Sequence, residues 1–571
     1  MLPRSSAYFS TSVRGFLGLS TEHVLGSLTA ANQGALDVAQ RQAWEDEIAI
    51  LGTSLVGIDG QLYFEFNIPR LGSRVDVVIV AGSAVIPVEF KCGENQFRTN
   101  DLYQAWDYGL DLKNFHAGSH NAEIFPILVA TDAPFGDQEW QTPSHDGVRR
   151  PFRCGANGLA DAIKSALSTS RGVAIDADSW GAAAYHPTPT IIEAARTLYA
   201  RHSVDTISRH DAGAINLRST SVAVQEVIER ARTTKRKAIV FVTGVPGAGK
   251  TLVGLNVATS RRDLGEARAV YLSGNGPLVA VLQEALTRDE LQRTKGRERK
   301  GVILQRVKPF IQNVHHFRDE GVRRNDAPYD HVVIFDEAQR AWNANKTGDF
   351  MRRRKKIEGF TQSEPEFLIS YLDRHNTWAT VVCLVGGGQE IHTGEGGIAE
   401  WLNAARNKFP HWDVFVSPHL TDSEYAATDS LGPLELAGKV CWDQRLHLST
   451  SMRSFRSEKV SAFIKALLDC DTDTAAELLA EVTHRYPIAV TRDLARAKDW
   501  IRSHARGSER FGLVASSQAQ RLKPHAIDVR INVDPVQWFL NDRTDTRSSF
   551  YLEDAATEFQ VQGLATSPRL Q

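Results

Sequence analysis

The chain has 571 residues, 42% of them hydrophobic, and its 66 Lys and Arg nearly cancel 68 Asp and Glu, for a formal net charge of −2. Such a length exceeds what one core can organise and predicts three or four domains, while the charge balance excludes a global polyanion-binding surface and makes any nucleic-acid contact local. No apolar run approaches the roughly 18 residues that a membrane helix needs. The five cysteines are scattered with no CxxC pair, which argues against a zinc site or disulfide framework and predicts a cytoplasmic, reducing setting.

The first twenty residues are basic and small-residue-rich with only a short apolar patch, GFLGL, and read as the start of the fold rather than a signal peptide. Residues 22–57 read as helical, with Trp44, Ile48, Leu51 and Leu55 on one stripe. Three β-type runs follow, YFEFNIP (63–69), RVDVVIV (74–80) and VIPVEFK (85–91). Asp76 interrupts an apolar strand, and alternation sends Glu89 and Lys91 to one face of the next, beside Asp76 if the two pair antiparallel. Carboxylates and a lysine on a buried face are expensive unless they act. Asp76, Glu89 and the Phe90 carbonyl offer a hard cation such as Mg²⁺ the oxygen ligands it prefers, and Lys91 can stabilise developing charge on a phosphodiester. This D-x12-E-F-K pattern resembles the PD-(D/E)XK nuclease superfamily. The helix expected over LYQAWDYGLDLK (102–113) carries Gln104 and Tyr108 at i, i+4, similar to the Q-x3-Y element of the RecB-like branch. That resemblance implies that Gln104 and Tyr108 contact the nucleic-acid backbone and that Glu47 is a further acidic metal residue.

From 120 to 235 the text is less informative: a core strand within AEIFPILVATDA (122–133), a helix over 156–168, a Pro-rich lead-in at 185–203, and an amphipathic helix over 220–237. Then AIVFV (238–242) runs into Gly244-Val245-Pro246-Gly247-Ala248-Gly249-Lys250-Thr251, a complete GxxxxGK(S/T) P-loop between a buried strand and a helix. Its glycines let backbone N–H groups close around phosphate, Lys250 reaches the β- and γ-phosphates, and the Thr251 hydroxyl ligates Mg²⁺. ATP and Mg²⁺ are the cofactors expected. Later strand ends extend the pattern. In HVVIFDEAQRAW (331–342), Asp336 would hold Mg²⁺ and Glu337 polarise the attacking water. TVVCLVGGGQEI (380–391) ends on Gln389, similar to the γ-phosphate-sensing glutamine of helicases, and LHLSTSMRS (446–454) resembles the L-x-x-N-Y-R-S element of superfamily 1 helicases, which implies that Arg453 reaches the γ-phosphate as an arginine finger.

Residues 185–564, through GVPGAGKT, FDEAQRAW, GGGQEI and ATEFQVQGL (556–564), resemble the Schlafen-related DNA/RNA helicase domain on a superfamily 1 framework. The resemblance implies a nuclease–helicase fusion acting on DNA or RNA, of a kind common in anti-phage defence alongside partner proteins. Gly387 replaces the acid that many such helicases carry in motif III, and after ATEFQVQGL the chain departs from the pattern, so an incomplete second RecA-like domain is expected. The expected architecture is α/β: a PD-(D/E)XK restriction-endonuclease-like domain over 1–175, a helical lead-in over 176–235, a RecA-like P-loop ATPase domain over 236–435, and a partial second RecA-like domain over 436–571. Two basic runs, 287–301 and 351–359, are candidate phosphate contacts, with Trp342 and Phe350 near enough in sequence to act as stacking platforms or as core. The function expected is an ATP-driven helicase or translocase with a Mg²⁺-dependent nuclease; the alternative is an ATP-binding switch that gates nucleic-acid binding or cleavage without unwinding.

Overall fold

A computed structural model describes residues 7–562 and 564, apart from 33–37, 69–72, 135, 145, 184, 186–190, 201–211, 246, 262–267, 387–393, 423–424, 426, 450–454 and 484–487. The chain divides into two units, Met1–Thr188 with Arg456–Phe511, and Pro189–Phe455 with Gly512–Gln571.

In the first unit the described residues build a seven-stranded mixed sheet. Strands β1 (Phe9–Ser12), β2 (Gln61–Ile68), β3 (Ser73–Ala81) and β4 (Ala84–Lys91) are antiparallel neighbours. β5 (Glu123–Ile124) and β6 (Ile127–Ala130) then pair parallel with β4, and β7 (Phe152–Cys154) with β6. Phe125-Pro126 splits the strand expected over 122–133 into β5 and β6, because proline supplies no N–H to a ladder. The helix Val38–Ser54 buries Trp44, Ile48 and Leu51 against one face, and Tyr108, Leu110 and Leu112 of the helix Thr99–Phe115 pack on the other.

The second unit is organised by an eight-stranded sheet in which every registered pair is parallel. The strands are β8 (Lys237–Gly244), β9 (Ala269–Ser273), β10 (Ile311–Asn313), β11 (Val332–Asp336), β12 (Ala379–Leu384), β13 (Trp412–Val416), β14 (Val440–Trp442) and β15 (His447–Leu448). Their order is β10-β9-β11-β12-β8-β13-β14, with β15 beside the end of β8. Alternation puts Ala238, Val240 and Val242 in one buried layer and Ile239 and Phe241 in the other, as a parallel sheet covered on both faces requires.

Residues 436–571, expected as a partial second RecA-like domain, are shared out. β14 and β15 extend the eight-stranded sheet, 456–511 group with the first unit, and 512–562 return to the second. There β16 (Leu513–Ala515) and β17 (Ala555–Thr557) form a two-stranded parallel pair, while Trp538 and Phe539, on the helix Pro535–Leu540 that packs against the helix Gly276–Arg293, and Leu564 join the core layer to which the helix Lys250–Ser260 also contributes.

That helix, Lys250–Ser260, lies close on the sheet at Gly254, where a Cβ would stand 2.7 Å from Leu384 Cδ1 and 3.1 Å from Ile334 Cγ2. Overpacking of this kind costs about 1–3 kcal/mol, more than the roughly 0.5–1 kcal/mol alanine gains over glycine inside a helix. Gly254→Ala is therefore expected to lower the urea midpoint, and an unchanged or raised midpoint would contradict this packing.

Candidate functional site

Because the strands of the second unit run one way, the loops after β8, β9, β11 and β12 all emerge at one edge. The loop after β8 carries Gly247 at φ 77° and Gly249 at φ 88°, the left-handed region that glycine enters without strain. Gly244 has a different reason. A Cβ there would meet Leu448 Cβ at 2.7 Å, since β15 lies directly alongside and the Val245 N–H donates to the Leu448 carbonyl at 3.1 Å. Val245 and Ala248 complete the described loop; Pro246 lies outside the described residues.

Lys250 Nζ donates back to the Gly244 and Val245 carbonyls, at 2.8 and 3.2 Å. Thr251 Oγ1 donates to Asp336 at 3.2 Å, across from the P-loop helix to the end of β11. Tyr271, fully buried on β9, donates its hydroxyl to the same carboxylate. Burial, then the adjacent Glu337, push the Asp336 carboxyl up to about 7, with the Tyr271 and Thr251 hydrogen bonds acting the other way. Glu337 itself sits at φ 57°, ψ 49°, a conformation uncommon outside glycine, asparagine and aspartate. Gln339 holds it: its Nε2 donates to Glu337 Oε2 while its Oε1 accepts the Gly386 N–H at 3.0 Å. Lys250, Thr251, Asp336 and Glu337 are thus brought together, whereas Gln389 and Arg453 lie outside the described residues.

One residue from far along the chain closes this edge. Gln562, within ATEFQVQGL, accepts from Arg340 Nη1 at 3.0 Å through its side chain and from Asn275 Nδ2 at 2.6 Å through its carbonyl. It ties the loop after β9 to the loop after β11. Tyr271, Gln339 and Gln562 were not singled out from sequence. Gln339 had a signal, the fourth place of DEAQ, but a tyrosine inside a strand has none.

In the first unit the residues expected around Asp76 also converge. Asp76 Oδ2 accepts the Phe90 N–H at 2.7 Å; Lys91 Nζ bridges Glu89 Oε1 at 2.8 Å and Gln104 Oε1 at 3.1 Å; Gln104 Nε2 donates to the Tyr108 hydroxyl at 2.9 Å. Asp101, one turn before Gln104, stands 3.9 Å from Lys91. Burial first, then the charges of Glu89 and Glu47, hold Asp76 well above the carboxylate range, and burial followed by Glu65 and Glu89 does the same to Glu47. Glu89 is raised by burial against the pull of Lys91. Its Oε2 is buried with no hydrogen-bond partner among the described residues.

Alternation fails at this site, and the failure shapes it. On β2, Leu62 and Phe64 face one layer but Phe66 and Ile68 the other; on β3, Val77 and Ile79 face the first and Val75 the second. The pairs Phe64↔Val77 and Phe66↔Val75 keep one register, so both strands switch face between them, at Glu65 and Asp76. Glu65 takes φ 50° there and accepts from Trp44 Nε1 at 2.7 Å and Arg74 Nε at 2.6 Å. A charged residue amid YFEFNIP was the legible signal for Glu65.

As candidate cation ligands, no three or more His, Cys, Asp or Glu among the described residues form a cage. Asp76, Glu89 and Glu47, the acids expected here, lie within electrostatic reach of one another. Mg²⁺ is commonly held by one or two carboxylates and its own waters, and the orphaned Glu89 Oε2 fits such a pair.

A family model described as Schlafen group 3, DNA/RNA helicase domain, matches residues 237–566, more than half of the chain. No curated protein matches it. No helix among the described residues is long and apolar enough to cross a membrane.

Glu65→Ala would leave the Trp44 N–H buried without an acceptor, at a cost of roughly 1–3 kcal/mol. Urea unfolding should show that loss, with Glu65→Gln recovering most of it; equal stability of all three forms would mean the contact carries no weight.

Proposed function

The chain belongs to the family of Schlafen group 3 DNA/RNA helicase domains, and we propose on that premise a superfamily 1-type helicase or translocase ATPase coupled to a PD-(D/E)XK-like, Mg²⁺-dependent nuclease. The observation that carries the ATPase half is the meeting of Lys250, Thr251, Asp336 and Glu337 from the ends of two parallel strands, with Thr251 and Asp336 already in contact at 3.2 Å.

In this reading the P-loop N–H groups and the N-terminus of the helix Lys250–Ser260 cradle the ATP phosphates. Lys250 exchanges its two loop carbonyls for the β- and γ-phosphate oxygens. Thr251 and Asp336 would hold Mg²⁺, which supplies charge neutralisation on the transferring phosphoryl group. Glu337 orients the attacking water, and Gln339 fixes the direction of its carboxylate. Gln389 and Arg453, as phosphate sensor and arginine finger, rest on their motifs alone.

For the nuclease half, Asp76 and Glu89 would hold Mg²⁺, and Lys91, anchored between Glu89 and Gln104, stabilises charge on the scissile phosphate. Gln104 would contact the nucleic-acid backbone, with Tyr108 buried beside it and holding its amide, and Glu47 adds acidity behind the site. A fusion of this kind fits a role in anti-phage defence.

Lys250→Ala removes the ammonium that neutralises phosphate and should abolish ATP turnover; turnover at the wild-type rate would overturn the assignment. Glu337→Gln keeps the shape without the charge, so ATP binding, read by fluorescent-nucleotide titration, should persist while turnover stops.

Glu89→Ala should abolish Mg²⁺- or Mn²⁺-dependent cleavage of labelled DNA or RNA and leave ATP turnover intact. Cleavage by the purified variant with unchanged metal dependence would remove the nuclease from this sheet.

A further inference from the structure

The two basic runs end up at opposite ends of the second unit's sheet. The run over 287–301 sits at the far end of the helix Gly276–Arg293, which starts at the loop after β9 and carries the chain 18 residues away, about 27 Å at 1.5 Å per residue. The run over 351–359 stays at the candidate nucleotide edge. The chain leaves β11 at Asp336, passes Trp342, makes the excursion that contains this run, and returns to the same point, where the Glu364 N–H donates to the Trp342 carbonyl at 2.9 Å.

Residues Met351–Lys355 form a π-helical turn that ends on Lys356 in the left-handed region, at φ 60°. Met351 is fully buried, while the five cations from Arg352 to Lys356 are exposed. The turn stands on a rigid mount. Phe350 and Trp342 pack edge to face at 5.2 Å, His315 lies against both, and the fully buried Arg318 sits over Phe350 at 4.6 Å while pairing with buried Glu364 at 3.1 Å. Lys346 already covers Trp342 at 5.0 Å, so that ring serves as a support and not as an open platform for a base. Asp349 takes Arg352 and lies 4.0 Å from Arg353, and Asp319 takes Lys355; Arg354 and Lys356 have no ion pair among the described residues.

We propose that this π-turn is a phosphate-backbone contact for single-stranded nucleic acid, with Arg353, Arg354 and Lys356 reaching successive phosphates. The proposal rests on the nucleic-acid reading above and goes further, by selecting one surface. Three arguments select it: unneutralised positive charge in a chain of net charge −2, its place at the edge where open parallel sheets take their ligands, and a backbone held in place, which lowers the ordering entropy of binding. Contacts to phosphate alone carry no base preference, so DNA and RNA single strands should bind alike at this surface.

The test is the salt dependence of binding of labelled oligothymidylate and oligouridylate to the full chain, followed by fluorescence anisotropy. Each phosphate neutralised on a single strand contributes about 0.7 to the slope of log K against log salt. The variant Arg353→Ala/Arg354→Ala/Lys356→Ala should therefore lower the slope by about 2 with both probes and leave the unfolding midpoint unchanged. A control from the other run, Lys295→Ala/Arg297→Ala/Arg299→Ala, should leave the slope as in wild type. Wild-type affinity and slope in the first variant, or a loss confined to the control, would overturn this surface while leaving the nucleic-acid reading intact. A wild-type chain that binds neither probe would overturn both.

Discussion

Common strand direction is the constraint on which the second unit depends. All registered neighbours from β8 to β15 are parallel, so every loop that follows a strand's C-terminal end opens at the same edge. Burial on both faces makes the strands continuously apolar and leaves chemistry to their ends. Asp336 is the last residue of β11, Ser273 the last of β9, and Gly244 the last of β8. Thr251 and Asp336, 85 residues apart, meet because the strands before them stop in line.

Closing that edge takes pieces from much later in the chain. Leu448 lies so near Gly244 that a side chain there would collide with it. Asn216 holds the same segment from the other side, donating to the His447 carbonyl at 3.1 Å and accepting the Ser449 N–H at 2.9 Å. Gln562 does comparable work between Asn275 and Arg340. Each is an ordinary polar contact, worth about 1 kcal/mol net; their importance lies in fixing how loops from different strands stand toward one another.

Buried acid is the recurring expense in both units. Asp76, Glu89 and Glu47 are raised mainly by burial in one unit, and Asp336 in the other, so each carries charge only against a desolvation penalty. Left-handed backbone at Glu65 and Glu337 adds strain of order 1–3 kcal/mol each. Compensation comes from hydrogen bonds that aim these carboxylates, from Trp44 and Arg74 to Glu65 and from Gln339 to Glu337. Acids raised by burial and by neighbouring charge in this way are enriched at sites where charge is used.

Sequence alone determined the elements whose signal is local. The glycine spacing of the P-loop, the apolar runs of β8, β11 and β12, and the period-2 pairing of Glu89 with Lys91 are all properties of a few adjacent residues. The i, i+4 placement of Gln104 and Tyr108 belongs with them, because helix and strand geometry act over that range. Tertiary structure alone decided the rest. The face switch at Glu65 and Asp76 needs two strands to turn together. The place of Tyr271 beneath Asp336 follows from strand order, which hydrophobic patterning does not encode. Likewise, the sharing of 436–571 between two units depends on where short strands and helices find apolar partners, a choice made by the packed cores and not by any local stretch of chain.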